Sequence, residues 1–231
     1  MQQKASNLST RESRNTGWSA IASGIIGLIS FAALITAVVT RTSIELFGKV
    51  LFLFRTHDVG IIVQFILLIP VIVGLYKISQ QGSACMSKSM LITGVTALSF
   101  VVLFLLLIFP KILADTLYMF PQGVFGIWLI SFCVNFQSIL SKGLKYFGIV
   151  VGIGLALVGI FPLGYPIFVD TIILKIPAVD SANYPPVLSP ANNILHIILD
   201  IGTLMGVITL PVWTILLGKR ILLTKHNIVS S

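Results

Sequence analysis

Two residues that could exchange a proton stand close together in an apolar stretch near the C-terminus. His196 and Asp200 are four residues apart, so in a helix they lie on one face and can touch. Such a pair could act as a proton relay, as a catalytic base with its orienting acid, or as two ligands of a metal ion. The structural alternative is a mutually satisfied polar pair that holds its helix in register.

Asp200 is the more unusual member of the pair because it is the one charged residue well inside a predicted membrane span. An aspartate near the centre of a membrane helix costs about 2.5–3.5 kcal/mol on insertion scales, and such residues usually face the interior of the bundle. Counted from Pro190, Asp200 lies roughly 15 Å along the helix at 1.5 Å per residue.

A second histidine and aspartate, His57 and Asp58, come just before another apolar stretch. If the two stretches are neighbours, His57, Asp58, His196 and Asp200 converge, and their nitrogen and oxygen atoms suit a zinc-like ion. A zinc-like cofactor is therefore a hypothesis, although no metal-binding motif supports it. Asp58 also has a simpler interpretation as the cap of the second helix, where the helix dipole favours a carboxylate.

Further polar residues within the apolar stretches suggest a substrate path. Gln64 lies two turns below His57 on a similar face, and Asn135 belongs to a polar belt in a later stretch. A path from Asp200 through Gln64 to Asn135 would indicate transport, whereas hydrogen bonding between helices is the structural role expected for the belt. The belt consists of Ser131, Cys133, Asn135, Gln137 and Ser138.

The composition places these residues in a membrane. Of 231 residues, 56% are hydrophobic and 10% charged, against roughly 25% charged and about 45–50% apolar in a soluble domain. These values exclude a soluble globular domain, a disordered chain and a disulfide-stapled secreted module. The net charge of +8 comes from Lys and Arg that flank the apolar stretches, which indicates membrane topology and no nucleic-acid partner.

Six apolar stretches reach the roughly 20 residues that a spanning helix needs. They cover residues 18–40, 59–76, 90–109, 118–140, 146–169 and 194–217. Their continuous apolarity differs from the alternation of barrel strands. We therefore predict an all-α polytopic integral membrane protein, a six-transmembrane-helix bundle that forms one membrane domain over residues 1–231.

The basic residues predict the orientation. With the N-terminus inside, ten of the fifteen Lys and Arg residues fall in inner segments, as the positive-inside rule requires. Both termini are then cytoplasmic, residues 1–16 form a polar cytoplasmic N-terminal tail, and the protein lies in the cell membrane with the lipid bilayer as its partner. The apolar run 44–54 is too short to span, so we expect an interfacial or re-entrant helix or a bent continuation of the first span.

Small residues four apart predict close helix packing. The pairs are Gly148 and Gly152, Gly202 and Gly206, and Ala20 and Gly24. Such pairs let membrane helices approach each other, mostly within one chain and less often in a homo-oligomer.

Three function classes remain open. The first is a non-enzymatic accessory, sensing or carrier component. The second is a membrane-embedded enzyme, such as a metal-dependent hydrolase, that acts on a lipid or other amphiphile at the outer leaflet through His196 and Asp200. The third is a proton-coupled transporter that uses Asp200. The sequence contains no HExxH, CxxC or GxSxG motif, so no catalytic motif favours the enzyme.

Overall fold

The chain folds into a helical bundle. A computed structural model describes residues 2–40, 47–80, 85–136, 140–178 and 189–229, and the regular structure in these ranges is helical. Five helical stretches are long and apolar enough to cross a membrane, and a sixth apolar helix of 17 residues lies among them. The protein is therefore a membrane-embedded helical bundle.

The helices follow one another in the order of the chain. They are α1 (Gln2–Thr40), α2 (Phe47–Ser79), α3 (Lys88–Ile108), α4 (Met119–Asn135), α5 (Lys142–Phe168), α6 (Pro190–Gly202) and α7 (Leu210–Val229). A short 3-10 helix, Thr171–Leu174, follows α5, and a π-helical turn, Thr203–Val207, joins α6 to α7. The continuous stretch from Pro190 to Leu223 is the last of the five long apolar stretches.

The helices are arranged as a ring. Each of the helices α1 to α5 packs against the next helix in the chain. Helix α7 returns to pack against α1. Gly17 in the first half of α1 lies against Gly218 in α7, so both chain ends lie at one end of the bundle, which we call the terminus end. The opposite end, which carries the 109–118 turn and residues 169–178, we call the loop end.

Glycines set the closest helix contacts, as the small-residue pairs predicted. Gly126 of α4 lies against Gly152 of α5, and a Cβ on Gly154 of α5 would come within 2.6 Å of the Cα of Gly206 in the π-helical turn. Because lipid supplies no hydrophobic drive between helices, this close packing is a main source of their association. The pairs considered from the sequence are thus occupied inside the chain.

Two features of the N-terminal half differ from the sequence expectations. Helix α1 begins at Gln2, so helix continues through the predicted polar tail, where Glu12 accepts a 2.6 Å ion-paired hydrogen bond from Lys77. The apolar run that starts at 44 is not a separate interfacial helix from residue 47 onward, because Phe47 to Ser79 form one continuous helix. Residues 44–46 lie outside the described residues.

This extension of α2 also changes the position of Asp58. The helix begins eleven residues earlier, so Asp58 lies inside α2 and does not cap it. By contrast, the predicted start of α6 is confirmed. The Ser189 hydroxyl accepts a 3.1 Å hydrogen bond from the Asn192 amide, and Pro190 occupies the first turn, where a missing N–H has no cost.

The π-helical turn precedes Pro211, which cannot donate to the carbonyl one turn before it. Here the Ile208 amide bonds to the Thr203 carbonyl at 3.0 Å, and the Thr209 hydroxyl donates to the carbonyls of Met205 and Gly206. The carbonyls of Thr203, Met205 and Gly206 are therefore bonded within the chain, as a membrane requires of backbone groups. Turns of this kind are frequent at functional sites.

Candidate functional site

A cavity of about 130 Å³ lies inside the ring of helices. Six structural elements and the residue before α4 contribute to its wall. The elements are α1, α2, α4, α5, the π-helical turn and the start of α7. Its polar lining consists of His57, Gln64, Tyr118, Gln122 and Thr203. The rest of the wall is apolar and includes Phe31, Phe65 and Val158. No acidic side chain, lysine or arginine contributes to the described wall.

Gln64 and Gln122 are the unusual residues of this wall. Each is only 1% exposed, and the side-chain oxygen of each is buried without a hydrogen-bond partner among the described residues. A buried polar group left without a partner costs about 1–3 kcal/mol, and such groups in native proteins call for an explanation by a bound molecule, a water or a function. Two of them on one cavity point to a polar occupant.

The sequence provides a local reason for the placement of Gln64. The Ser23 hydroxyl of α1 donates a 3.0 Å hydrogen bond to the Gln64 backbone carbonyl, which fixes this turn of α2 against α1. A Cβ on Gly27 would meet the Gln64 side-chain oxygen at 2.6 Å. The glycine therefore leaves the space in which the carboxamide lies.

His57 is held at the rim of the cavity. Its Nδ1 lies 3.0 Å from the Ser30 carbonyl oxygen of α1, and its ring meets Phe31 edge to face at 5.7 Å. Because a carbonyl can only accept, Nδ1 is the donor, and Nε2 is left as the acceptor of the neutral ring. The imidazole is thus oriented by α1 while α2 carries it.

A second hollow of about 550 Å³ lies at the loop end. It shares His57, Ile61, Tyr118 and Met119 with the central cavity, so these four residues form the boundary between the two, which we call the neck. The outer hollow carries charged residues of both signs, whereas the central cavity does not. The charged residues are Arg55, Asp58, Lys111 and Asp115.

The side of the neck that Tyr118 forms carries no charge. Tyr118 lies in the connecting turn before α4, where burial raises the pKa of its hydroxyl to about 12, and the carboxylates of Asp58 and Asp115 act in the same direction. The phenol is therefore protonated at neutral pH and can both donate and accept a hydrogen bond.

In the outer hollow, Arg55 is turned towards the Phe109 ring, with its guanidinium carbon 5.2 Å from the ring centre.

His196 and Asp200 lie elsewhere. Both side chains are exposed on α6, and His196 contacts the Phe161 ring of α5 at 5.3 Å. No hydrogen bond or ion pair joins His196 to Asp200 in the part of the chain that the structure describes. The expected inward orientation of Asp200 is therefore not found, and neither is a mutually satisfied pair.

The four residues considered for a metal are divided between two places. His57 and Asp58 lie on α2, and α6 packs against α5 and has no comparable packing against α2 among the described residues. Within the described ranges, no group of three or more His, Cys, Asp or Glu side chains could hold a metal ion. A zinc-like centre therefore has no geometric support in these residues.

The two members of the predicted substrate path also separate. Gln64 lines the central cavity, but Asn135 is exposed near the terminus end of α4 and donates a 2.8 Å hydrogen bond to the Ser131 carbonyl of its own helix. Ser131 bonds in the same way to Ile127 at 3.0 Å. Among the residues that the structure describes, neither Ser131 nor Asn135 forms the expected hydrogen bond between helices. Gln137 and Ser138 lie outside the described residues.

Sequence reasoning missed Gln122 and Thr203. Gln122 stands near the start of the fourth apolar stretch, and a carboxamide within an apolar stretch was the signal that selected Gln64. The same signal applied to Gln122 would have found it. Thr203 had no comparable signal, because its position on the cavity depends on the π-helical turn.

Comparisons with models of known families, with curated proteins and with solved structures gave no significant match. The chemistry of the site therefore has to be inferred from its geometry. The central cavity offers carboxamides, a neutral phenol and an oriented imidazole, and its wall lacks a fixed charge. It can bind a small uncharged molecule that both donates and accepts hydrogen bonds.

Proposed function

We propose that this protein is a non-enzymatic membrane component that binds a small, uncharged polar molecule in its central cavity, as a carrier or a sensor. The observation that supports the proposal is the pair of buried side-chain oxygens on Gln64 and Gln122 without hydrogen-bond partners among the described residues. A bound hydroxyl or amide would satisfy both and remove their cost.

The size of the cavity limits the molecule. At about 130 Å³ it is close to the 150 Å³ of an engineered apolar cavity that accepts benzene, and about four times the volume of a water molecule in the liquid. The proposed ligand therefore has about six non-hydrogen atoms, as in a short polyol or a small amide. A net charge on it would be disfavoured because the wall offers no opposite charge.

The outer hollow supplies the route. It meets the central cavity at the neck, so a molecule from the loop end would pass His57 and Tyr118 before reaching the two glutamines. We further propose six membrane spans with both termini cytoplasmic, which puts the loop end on the outside of the cell membrane. The distribution of basic residues supports this orientation.

The enzyme and the proton-coupled transporter have less support. Both depend on Asp200, which is exposed on α6 and does not line the central cavity. The enzyme also requires His57 to join His196 and Asp200, and the packing of α6 against α5 does not favour this.

Ligand binding can be tested on the purified full chain in lipid nanodiscs. Small polyols and amides, with charged molecules of equal size for comparison, would be screened for an increase in thermal stability. A ligand at 100 times its Kd stabilises a protein by roughly 2.7 kcal/mol. We expect stabilisation by an uncharged compound, loss of this effect in Gln122→Leu, and retention of it in Asn135→Leu.

The Asn135→Leu variant is a matched control because it removes an exposed carboxamide from the same helix. Liposomes that contain the protein would then be tested for swelling in the stabilising compound, which separates a carrier from a sensor. If no uncharged compound stabilises the wild type, or if both leucine variants behave alike, the proposal is wrong. Liposome swelling with water alone would show that water is the molecule that uses the cavity.

A further inference from the structure

Helix α6 carries a polar stripe on its outward face. Asn193, His196 and Asp200 are all exposed, and they share one side of the helix because they are three and four residues apart. Between and beside them stand exposed branched residues, with Ile197 57%, Ile201 48% and Leu204 63% accessible.

The inward side of α6 shows how this helix is attached. Leu195 and Gly202 are its buried residues. Leu195 lies against Gly164, and Gly202 lies against the backbone of Gly154 and Val158. All three of these partners belong to α5. Helix α6 is therefore fixed to the bundle along one side. Asn193 and Asp200 lie away from these contacts, and His196 lies at the edge of the stripe, where its ring meets Phe161 of α5.

Asp200 lies about 15 Å along the helix from Pro190, at 1.5 Å per residue. This depth is well inside the stretch from Pro190 to Leu223 that can cross a membrane. No hydrogen bond or ion pair reaches its carboxylate in the described part of the chain. A charged group at such a depth is costly in lipid, and in membrane proteins it usually pairs with an opposite charge.

The spacing of the exposed residues fits a helix as the partner. Asn193, Ile197 and Asp200 of α6 and Leu204 at the start of the π-helical turn are separated by four, three and four residues. This is the seam spacing of left-handed helix pairs. Membrane helices commonly pack in this geometry.

From this seam and its unpaired carboxylate, we infer that α6 is the docking surface for a transmembrane helix of another protein that carries a lysine or arginine at the depth of Asp200. The partner's cation pairs with the carboxylate, and its apolar side chains pack between Ile197 and Leu204. A second copy of this chain is a poorer occupant, because in a parallel two-fold pair each Asp200 would face another Asp200. This inference does not depend on the proposed ligand.

The test uses synthetic membrane-spanning peptides as probes. A leucine-rich helix would carry one lysine about a third of the way along its span, and two control peptides would carry leucine or glutamate in its place. Binding to the labelled full chain in nanodiscs would be followed by energy transfer. We expect the lysine peptide to bind about tenfold more tightly than either control, the size of a typical polar contact between membrane helices.

The matching protein variant is Asp200→Asn, which keeps the shape of the side chain. Because no hydrogen bond or ion pair among the described residues involves the Asp200 side chain, the thermal stability of the variant should match that of the wild type, and its preference for the lysine peptide should disappear. Equal binding of all three peptides, or an unchanged preference in Asp200→Asn, would overturn the inference. Self-association that depends on Asp200 without any peptide would also overturn it, in favour of a second copy.

Discussion

The contact between Gly154 and Gly206 provides a direct test of the fold around the cavity. A Cβ at position 154 would lie 2.6 Å from the Cα of Gly206 and 2.6 Å from the carbonyl carbon of Met205. Ordinary contacts begin at 3.4 Å, so α5 and the π-helical turn would have to separate by about 0.8 Å or more. Both neighbours are backbone atoms, which cannot rotate away as a side chain can.

Overpacking of this kind typically costs about 1–3 kcal/mol. In Gly154→Ala this cost is opposed by the higher helix propensity of alanine, worth roughly 0.5–1 kcal/mol. We expect a net loss of about 1–2 kcal/mol in the free energy of unfolding. The displaced turn carries Thr203 and Val207, which line the cavity, so binding of the ligand should weaken as well.

Gly143 is the matched control, because it lies in the same helix and a Cβ there would meet nothing within 4 Å. Gly143→Ala should therefore be neutral or stabilising by up to about 1 kcal/mol. Denaturant-induced unfolding in bicelles, followed by tryptophan fluorescence, would compare both variants with the wild type. Equal stability of Gly154→Ala and Gly143→Ala would refute the close approach of α5 to the π-helical turn.

Four further outcomes are expected from single substitutions. Without ligand, Gln122→Leu should raise the free energy of unfolding by about 1–3 kcal/mol, because it removes an unsatisfied buried group. Ser23→Ala removes a buried hydroxyl that is hydrogen-bonded. This variant should lower the free energy of unfolding by about 1 kcal/mol in the same unfolding assay. Trp213→Phe should also cost about 1 kcal/mol, since the indole N–H donates a buried 3.1 Å hydrogen bond to the Leu144 carbonyl; a cost equal to zero would show that this bond is not formed. The pKa of Tyr118 is raised from 10.0 to about 12, so the folded state holds this proton more tightly than the unfolded state. The stabilisation that Tyr118 contributes is complete below pH 10 and is lost as the pH rises towards 12. Unfolding measured at stepwise pH should therefore show a smaller alkaline loss of stability in a Tyr118→Phe variant than in the wild type.

The helical class and the positions of the long apolar helices could be predicted from the sequence because bilayer thickness and apolar run length are simple constraints. The structure has five long apolar stretches and one shorter helix at the predicted positions. The prediction of α6 also succeeded at its start, since Ser189 and Pro190 form a local signal that needs no tertiary information.

The beginning of α2 could not be predicted in the same way. Its first turns carry Arg55, His57 and Asp58, whose polarity suggested a boundary between two segments. Helix formation depends on backbone hydrogen bonds and side-chain contacts that polarity alone does not exclude. The helix therefore continues through these residues, and Asp58 becomes a side chain of the outer hollow.

The side to which a polar residue points was the least predictable property. Asp200 was expected to face inward, because exposure of a charge to lipid is costly. Its orientation is set by Leu195 and Gly202, which pack on α5, and no pattern within α6 identifies which neighbour will take which face. Gln122, by contrast, is a polar residue that is buried. Its burial results from the packing of the ring of helices around it.

The length of α4 has a consequence for the membrane around the protein. Its 17 residues extend over about 26 Å, whereas the hydrocarbon layer of a bilayer is about 30 Å thick. In the six-span arrangement proposed above, α4 crosses the membrane, and local thinning of the bilayer would accommodate this difference of about 4 Å at a modest cost for each ångström. This thinning would draw the lipid headgroups beside α4 inward. Water at the loop end would then lie nearer to the neck beside α4 than beside the longer helices. We therefore expect the shorter lipids to collect around α4.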